Sequence, residues 1–171
     1  TATAGQVLHH YTVAIDESLQ VMTVEARFAA PVRSVTARSQ RAADYLLDFE
    51  NCDDDTKIRI RNRRMIVPAG GIQCMNYTVD LDAAASDQRQ NASLRDNNIV
   101  VSPAVWLWRP EINGSNNLQV EFNLPGDMAV AVPWQAVGNS GKLFRIQQSP
   151  ESGYAPAAFG HFEMHEVTVP G

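Results

Sequence analysis

The sequence lacks the features that mark several large classes of protein. Basic residues are in the minority, since 14 Lys and Arg stand against 19 Asp and Glu and the formal net charge is -5. This balance argues against a nucleic acid as the main partner, because phosphate binding needs a basic surplus. No apolar run approaches the roughly 20 residues of a membrane-spanning helix. Internal repeats and low-complexity segments are also missing.

Motifs that carry chemistry are missing as well. The sequence has no serine, histidine and aspartate arrangement of a hydrolase, no phosphate loop and no dinucleotide fingerprint. We therefore predict no catalytic residue, no metal ligand and no bound cofactor in this chain. It has no signal peptide, begins at Thr1 rather than methionine, and ends at Gly171 directly after a strand-like run. We expect it to be a processed or excised part of a longer chain.

Cysteine is scarce, and the two cysteines present permit a single disulfide. Cys52 and Cys74 would close a loop of roughly 20 residues, and neither has the C-x-x-C neighbour of a metal site. They flank one predicted hairpin, so we predict that they are bonded to each other and tie this hairpin to the following strand. Two buried free thiols are the alternative. A disulfide would place the protein outside the cytoplasm, in the periplasm or secreted.

Short runs of alternating apolar and polar residues are what the sequence does contain. Apolar residues make up 44% of the chain, as in most globular proteins, and we expect one domain over residues 1–171. Residues 7–15 and 19–28 alternate around the polar cluster Asp16-Glu17-Ser18, which predicts a β-hairpin that Pro31 interrupts. The residues predicted to share a face within each strand are Val7, His9, Tyr11, Val13 and Ile15, and then Met22, Val24, Ala26 and Phe28.

The remainder of the chain gives further strands and one helix. Alanine and leucine recur at helical spacing behind Ser39, which predicts a short helix near residues 39–48. Residues 82–97 have no apolar periodicity and are interpreted as a surface excursion with at most one helical turn. Predicted strands occupy 56–61, 65–67, 74–81, 99–101, 105–108, 118–124, 128–132, 143–147 and 159–169; in 74–81 the core face is Met75, Tyr77, Val79 and Leu81.

About ten short strands, with prolines between them or at their ends, indicate an all-β fold. We predict an antiparallel β-sandwich or a saddle-like open barrel. In the last strand, Phe162 and Met164 are predicted to point inward. A β-bulge near His165-Glu166 would bring Val167 and Val169 to the same side.

Three polar side chains would share the outer face of that last strand. His161, Glu163 and His165 alternate with the apolar residues, and a His-x-His pair on a strand can ligate a metal. Alternate residues of a strand lie about 6.6 Å apart, however, so the three cannot all reach one ion. We predict a polar face that binds no catalytic metal and meets solvent or a further domain.

Two tryptophans offer a different site. Trp106 and Trp108 share one face of the strand predicted at 105–108. If exposed, they would form a stacking platform for a sugar or a peptide, and the chain would be an independent binding module. If covered, they belong to the core or to a contact with another domain.

The other charged and histidine clusters have plainer interpretations. His9 and His10 point to opposite faces of a strand and cannot chelate one metal together. Asp53-Asp54-Asp55 lacks the glycine and the distal glutamate of a calcium loop. A basic stripe is predicted either to face solvent or to dock on an acidic surface; it comprises Lys57, Arg59, Arg61, Arg63 and Arg64.

Several stretches resemble the N-terminal β-domain of the gluzincin metallopeptidases, especially the glycyl-aminopeptidase and aminopeptidase N-like families. They are the opening Tyr11-Thr-Val-Ala-Ile-Asp16, the strand Cys74-Met-Asn-Tyr-Thr-Val-Asp-Leu81 with its C-x-x-Y-x-V-D-L pattern, the strand, proline and tryptophan pattern over 105–134, and the closing run 159–171. The resemblance implies a saddle-like β-domain that packs on a thermolysin-like catalytic domain and helps to shape its cleft. It implies zinc only in that other domain, so no catalytic residue carries over to this sequence.

Overall fold

The computed structural model describes residues 7–62, 64–87, 92–111, 116–146 and 155–165. Within these ranges most of the backbone is β-strand, and no helix is long and apolar enough to cross a membrane. The helices are a 3-10 helix (Ala42–Tyr45), α1 (Leu81–Ser86) and α2 (Pro103–Trp106). The strands are β1 (Val7–Ile15), β2 (Val21–Val32), β3 (Leu46–Asn51), β4 (Thr56–Lys57), β5 (Arg59–Arg61), β6 (Arg64–Ile66), β7 (Ile72–Asp80), β8 (Ala92–Arg95), β9 (Asn98–Val101), β10 (Asn116–Asn123), β11 (Ala129–Ala131), β12 (Gln135–Ala136), β13 (Leu143–Ile146) and β14 (Ala157–Gly160).

Eight strands form one large sheet, in the order β12-β13-β10-β1-β2-β7-β3-β4. The predicted hairpin β1-β2 lies near its centre, with Val13 opposite Val24. On its other side β1 pairs with β10 in parallel, which sets Val13 opposite Phe122. The other strand pairs in this sheet are antiparallel.

A second sheet covers one face of the first. It has four strands in the order β11-β14-β9-β8, while β5 and β6 form a separate two-stranded hairpin. Side chains of both larger sheets meet in one hydrophobic core, where the ring centroids of Phe122 on β10 and Phe159 on β14 are 5.5 Å apart. The sheets do not close into a barrel, and the predicted all-β sandwich is confirmed.

The opening hairpin follows its predicted alternation. Tyr11, Val13 and Ile15 of β1 are buried, as are Met22 and Val24 of β2. Period-two alternation suffices here because one face of the sheet meets the core and the other meets water. The pairing of β2 with β7 shifts register after Arg27, in the segment that contains Pro31, as a proline without a backbone N–H requires.

The turn between β1 and β2 is held by one carboxylate. Asp16 Oδ1 accepts hydrogen bonds from the N–H groups of Gln20 and Val21 at 2.8 and 2.7 Å, and the Ser18 hydroxyl donates to the same side chain. Partial burial acts to raise the pKa of Asp16, but these hydrogen bonds outweigh it and lower that pKa. They also stabilise the backbone of Leu19, which has a φ of 58° and a buried side chain.

Two predicted helical segments differ from the structure in extent. The helix expected near residues 39–48 is a 3-10 helix over Ala42–Tyr45, because Leu46 already pairs with Val79 as β3 begins. The excursion at 82–97 contains α1, which Asp80 caps by accepting from the Ala83 N–H at 2.8 Å, and the unforeseen strand β8. Residues 88–91 of the excursion lie outside the described ranges.

Two predicted strands are corrected. Residues 105–108 are not a strand, because Ser102 accepts from the Ala104 N–H and Pro103 occupies the first turn of α2. The last strand ends at Gly160, so residues 161–165 do not continue it as predicted, and Met164, predicted to point inward, is exposed. Val167, Val169 and half of the proposed bulge lie outside the described residues.

The predicted disulfide is present. Cys52 follows β3 and Cys74 lies on the adjacent strand β7, with their Cα atoms 5.3 Å apart. The bond fixes the start of the β3-β4 turn to the sheet. It does not tie down one hairpin over 56–67 as predicted, because residues 56–57 pair with β3 and only β5 and β6 form a hairpin. Cys74 is buried although it lies on the face opposite to Met75 and Tyr77, because the disulfide and the turn cover it.

Removing the disulfide should lower the free energy of unfolding by about 3 kcal/mol, since the bond closes a 22-residue separation and restricts the unfolded chain. The Cys52→Ala, Cys74→Ala double variant should show this loss in urea denaturation. Wild-type protein measured in reductant is the control and should match the variant. Equal midpoints for oxidised wild type and variant would contradict the expectation.

Candidate functional site

Two buried tyrosine hydroxyls hold the backbone of Trp108. The Tyr11 hydroxyl on β1 donates to the Trp108 carbonyl at 3.0 Å, and the Trp108 N–H donates to the Tyr77 hydroxyl on β7 at 3.2 Å. Burial raises the pKa of both tyrosines well above its usual range, so both stay neutral phenols. Their role is to satisfy a buried peptide group.

Neither tryptophan forms an exposed platform, which corrects one predicted site. Trp106 and Trp108 are 0% and 1% exposed. The Trp106 ring contacts Phe122, Trp134 and Phe159 edge-on, at centroid distances of 6.4, 5.9 and 6.4 Å. The helical turn at Pro103–Trp106 breaks the strand alternation and directs Trp106 into the core between the sheets. The stacking platform for a sugar or peptide therefore does not exist in this conformation.

The solvent face of the large sheet is polar and bears a shallow groove. The groove has a volume of about 310 Å³ and is lined by Thr12, Thr23, Glu25, Asn76 and Thr78, among others. Its acidic groups are already paired within the chain. Arg27 Nε lies 2.6 Å from Glu25 Oε1, and Lys57 bridges two further carboxylates at its rim.

The rim of this groove is a charge triad. Lys57 Nζ lies 2.7 Å from Asp48 Oδ1 and 3.1 Å from Glu50 Oε2. Hydrogen bonds from Lys57 and from the Phe49 N–H lower the pKa of Asp48. All three charges are at the surface, so the triad contributes little stability.

The histidines after β14 do not form the predicted strand face. Residues 161–165 have no strand pairing, and His161, Glu163 and His165 are all exposed. His161 Nδ1 lies 2.9 Å from Asp127 Oδ1, while His165 Nε2 lies 3.6 Å from Glu163 Oε2. Among the described residues no group of three His, Cys, Asp or Glu side chains comes close enough to hold a metal. That these residues bind no catalytic metal stays a prediction.

The basic stripe divides into two parts. Lys57 is neutralised by the two carboxylates at the groove rim, whereas Arg59, Arg61 and Arg64 are exposed on the β5-β6 hairpin. None of these three arginines has an ion-pair partner within the part of the chain that the structure describes. Arg63 lies outside the described residues.

The adjacent histidines of β1 face opposite sides, as predicted. His10 lies at the surface with its Nε2 3.3 Å from Glu121 Oε2. His9 is buried; its Nδ1 accepts from the Ala29 N–H at 3.4 Å, and its ring meets Phe28 edge-on at 5.4 Å. Burial lowers the pKa of His9, which makes it a structural neutral imidazole.

The exposed aspartates of residues 53–55 form a turn. Asp54 Oδ1 accepts from the Thr56 N–H at 3.0 Å, and Asn51 Oδ1 accepts from the Asp53 N–H at 3.2 Å. These oxygens therefore stabilise the turn that follows the disulfide. The sequence did not indicate the roles of Tyr11 and Tyr77, although a tyrosine predicted on a core face is a signal that its hydroxyl needs a buried partner.

Comparisons with known proteins identify the fold. The sequence matches no protein-family model and no curated protein. Its structure is similar to that of an aminopeptidase N family protein from Idiomarina loihiensis, with a TM-score of 0.62 and 13% identity over 95% of this chain. The chain spans 31% of that protein's length. The structure also matches that of a mutant M1 zinc metallopeptidase from Deinococcus radiodurans bound to a Tyr-Ser-Ala substrate. Here the TM-score is 0.44 and the identity is 13%, over 92% of this chain and 42% of that chain. The similarity to the Idiomarina loihiensis protein confirms the β-domain fold that the sequence resemblance implies.

Replacing the central tryptophan should destabilise the protein rather than remove a binding surface. We expect Trp106→Ala to lower the free energy of unfolding by about 3–5 kcal/mol, because it empties the space between the two sheets. Leu47→Ala is the control, since Leu47 is 58% exposed and its truncation should cost little. A melting temperature of Trp106→Ala close to that of wild type would show that the core is not organised as described.

Acidification should destabilise the protein through His9. Because the pKa of His9 is lowered below 6.5 in the folded state, the unfolded state takes up the proton first as the pH falls. Its contribution to stability is therefore complete above pH 6.5 and is lost as the pH falls through the folded-state pKa. His9→Gln should flatten the dependence of unfolding free energy on pH in this window, whereas His10→Gln should retain it. The same slope in wild type and His9→Gln would exclude His9 as its source.

Proposed function

We propose that this chain is a non-catalytic, N-terminal β-domain of an exported, aminopeptidase-like zinc metallopeptidase. The observation that carries the proposal is the shared fold with an aminopeptidase N family protein, over nearly the whole of this chain and about a third of the other. This chain matches only about a third of that protein and contains no zinc-binding H-E-x-x-H sequence. It is therefore suited to support a catalytic domain and not to replace one. The parent protein would then be a metallo-aminopeptidase.

In this proposal the domain packs on the catalytic domain and shapes its cleft. All zinc chemistry belongs to that second domain, and none of the residues described above takes part in it. The exposed residues His161, Glu163 and His165 would supply polar contacts to the catalytic domain. Met164, which is 63% exposed, would supply an apolar contact. A polar rim with a few apolar contacts is typical of interfaces between domains.

The proposed compartment is extracytoplasmic, either periplasmic or secreted. It is supported by the disulfide between Cys52 and Cys74, because disulfides persist in oxidising compartments and are rare in reducing ones. The bond is also placed where it contributes to stability, between a surface turn and a central strand.

The test is to extend the coding sequence beyond Gly171 and to compare the longer protein with the 171-residue chain. We expect an H-E-x-x-H motif and a downstream glutamate in the extension, and zinc-dependent hydrolysis of aminoacyl-p-nitroanilides by the longer protein only. The chain alone should retain no stoichiometric zinc after incubation with excess zinc and dialysis.

Two results would overturn the proposal. One is a complete gene that encodes no H-E-x-x-H motif, because the proposed catalytic domain would then not exist. The other is one zinc retained per 171-residue chain and abolished by His161→Ala, with His10→Ala as the matched histidine control. That second outcome would make the segment 161–165 a metal site in its own right.

A further inference from the structure

One face of the β5-β6 hairpin gathers positive charge beside an apolar side chain. In the register of the hairpin, Arg61 lies opposite Arg64 and Arg59 opposite Ile66. Because alternate residues of a strand share a face, these four side chains project together, and we call them the arginine face. All four are exposed, and Ile66 keeps 52% of its surface in water.

The charges on the arginine face repel one another. Side chains directly opposite in an antiparallel pair lie about 5 Å apart at Cβ, and like charges at such positions destabilise the pair. The neighbouring Lys57, by contrast, is neutralised through its contacts with Asp48 and Glu50. Within the described ranges no carboxylate neutralises the arginine face, although the chain carries a net negative charge.

An apolar groove borders the arginine face. It has a volume of about 230 Å³, and its lining includes Ile58, Arg59, Ile66, Val67 and Pro68. The volume is enough for a single aliphatic side chain, and Arg59 and Ile66 belong both to the groove and to the arginine face. A carboxylate on the arginines and an apolar side chain in the groove could therefore come from one bound segment.

The hairpin presents this surface on a fixed support. Its inner face packs against the core through Met65, which is 5% exposed. The Met65 N–H donates to the Val35 carbonyl at 3.4 Å, and Thr36 forms a bridge with Arg64. The arginine face is thus held in place before any partner binds, which reduces the entropy lost on binding.

We propose that the arginine face and its groove dock an acidic polypeptide segment of a separate protein. The carboxylates of the segment would pair with Arg61 and Arg64, and an aliphatic side chain would enter the groove beside Ile66. A concave groove for one side chain suits a polypeptide better than a flat lipid surface. Three arginines around a small apolar area suit a transient, salt-sensitive contact, because permanent interfaces exclude charge from their centres.

A blocked synthetic peptide in which glutamates flank a single leucine tests the docking. The 171-residue chain should bind it at low ionic strength, and binding should weaken as salt is added. Arg61→Gln with Arg64→Gln should weaken binding by about tenfold, as the loss of roughly 1.4 kcal/mol would. Arg95→Gln, which removes one exposed positive charge on β8, is the control and should leave the affinity within about twofold.

Ile66→Ser tests the groove without changing the charge. It should weaken binding of the leucine peptide. It should not change the affinity for a second peptide in which serine replaces the leucine. Melting curves should show the double arginine variant at least as stable as wild type, since a repulsive pair is removed.

Three outcomes would overturn the proposal. The first is equal binding of the glutamate peptide to wild type and to the double arginine variant. The second is equal binding of a matched peptide with glutamine for glutamate. The third is no peptide binding together with arginine-dependent binding to phosphatidylserine vesicles, which would make the partner a membrane.

Discussion

The backbone N–H and carbonyl of Trp108 fix the chain segment that lies between the two sheets. The carbonyl and the N–H bond to the hydroxyls of Tyr11 and Tyr77, which stand on the strands to either side of β2. A buried peptide group left without partners costs roughly 1–3 kcal/mol for each unpaired atom. The segment can therefore occupy the interior only where the two phenols meet it, and the Trp106 ring fills the space between the sheets as a result.

From that point the hydrogen bonding extends outward through one short stretch of chain. Arg109 and Thr36 exchange two backbone hydrogen bonds at 3.0 Å, and Thr36 is also bridged to Arg64 of the β5-β6 hairpin. The Ser39 N–H donates to the Ala104 carbonyl at 2.8 Å. Residues 35–39 thus connect the interior segment to the β5-β6 hairpin, and the position of the arginine face depends on the packing of the core.

Local pattern predicted those elements that expose one face to the core and the other to water. The alternation around Asp16, the break at Pro31 and the core face of β7 all follow from side chains meeting core or water in turn. The strand predicted at 105–108 is wrong because Ser102 and Pro103 begin a capped helical turn there. This start signal outweighs the alternation of apolar residues that predicted a strand. The predicted strand face of His161, Glu163 and His165 is absent because β14 ends at Gly160. At Gly160 the chain lies so close to Asn98 that a Cβ would be 2.2 Å from Asn98 Oδ1. The Ser102-Pro103 signal is local, whereas the contact of Gly160 with Asn98 depends on the pairing of β14 with β9 and cannot be read from one stretch of sequence.

The parallel pairing of β1 with β10 has a consequence for the order in which the molecule folds. The first strand of the chain sits in the middle of the large sheet, and one of its two neighbours is made roughly a hundred residues later. During synthesis, the opening hairpin would present an open edge and an apolar face until β10 is complete. Closing so long a loop is slow, so this domain should gain its native sheet late, as a nearly complete chain.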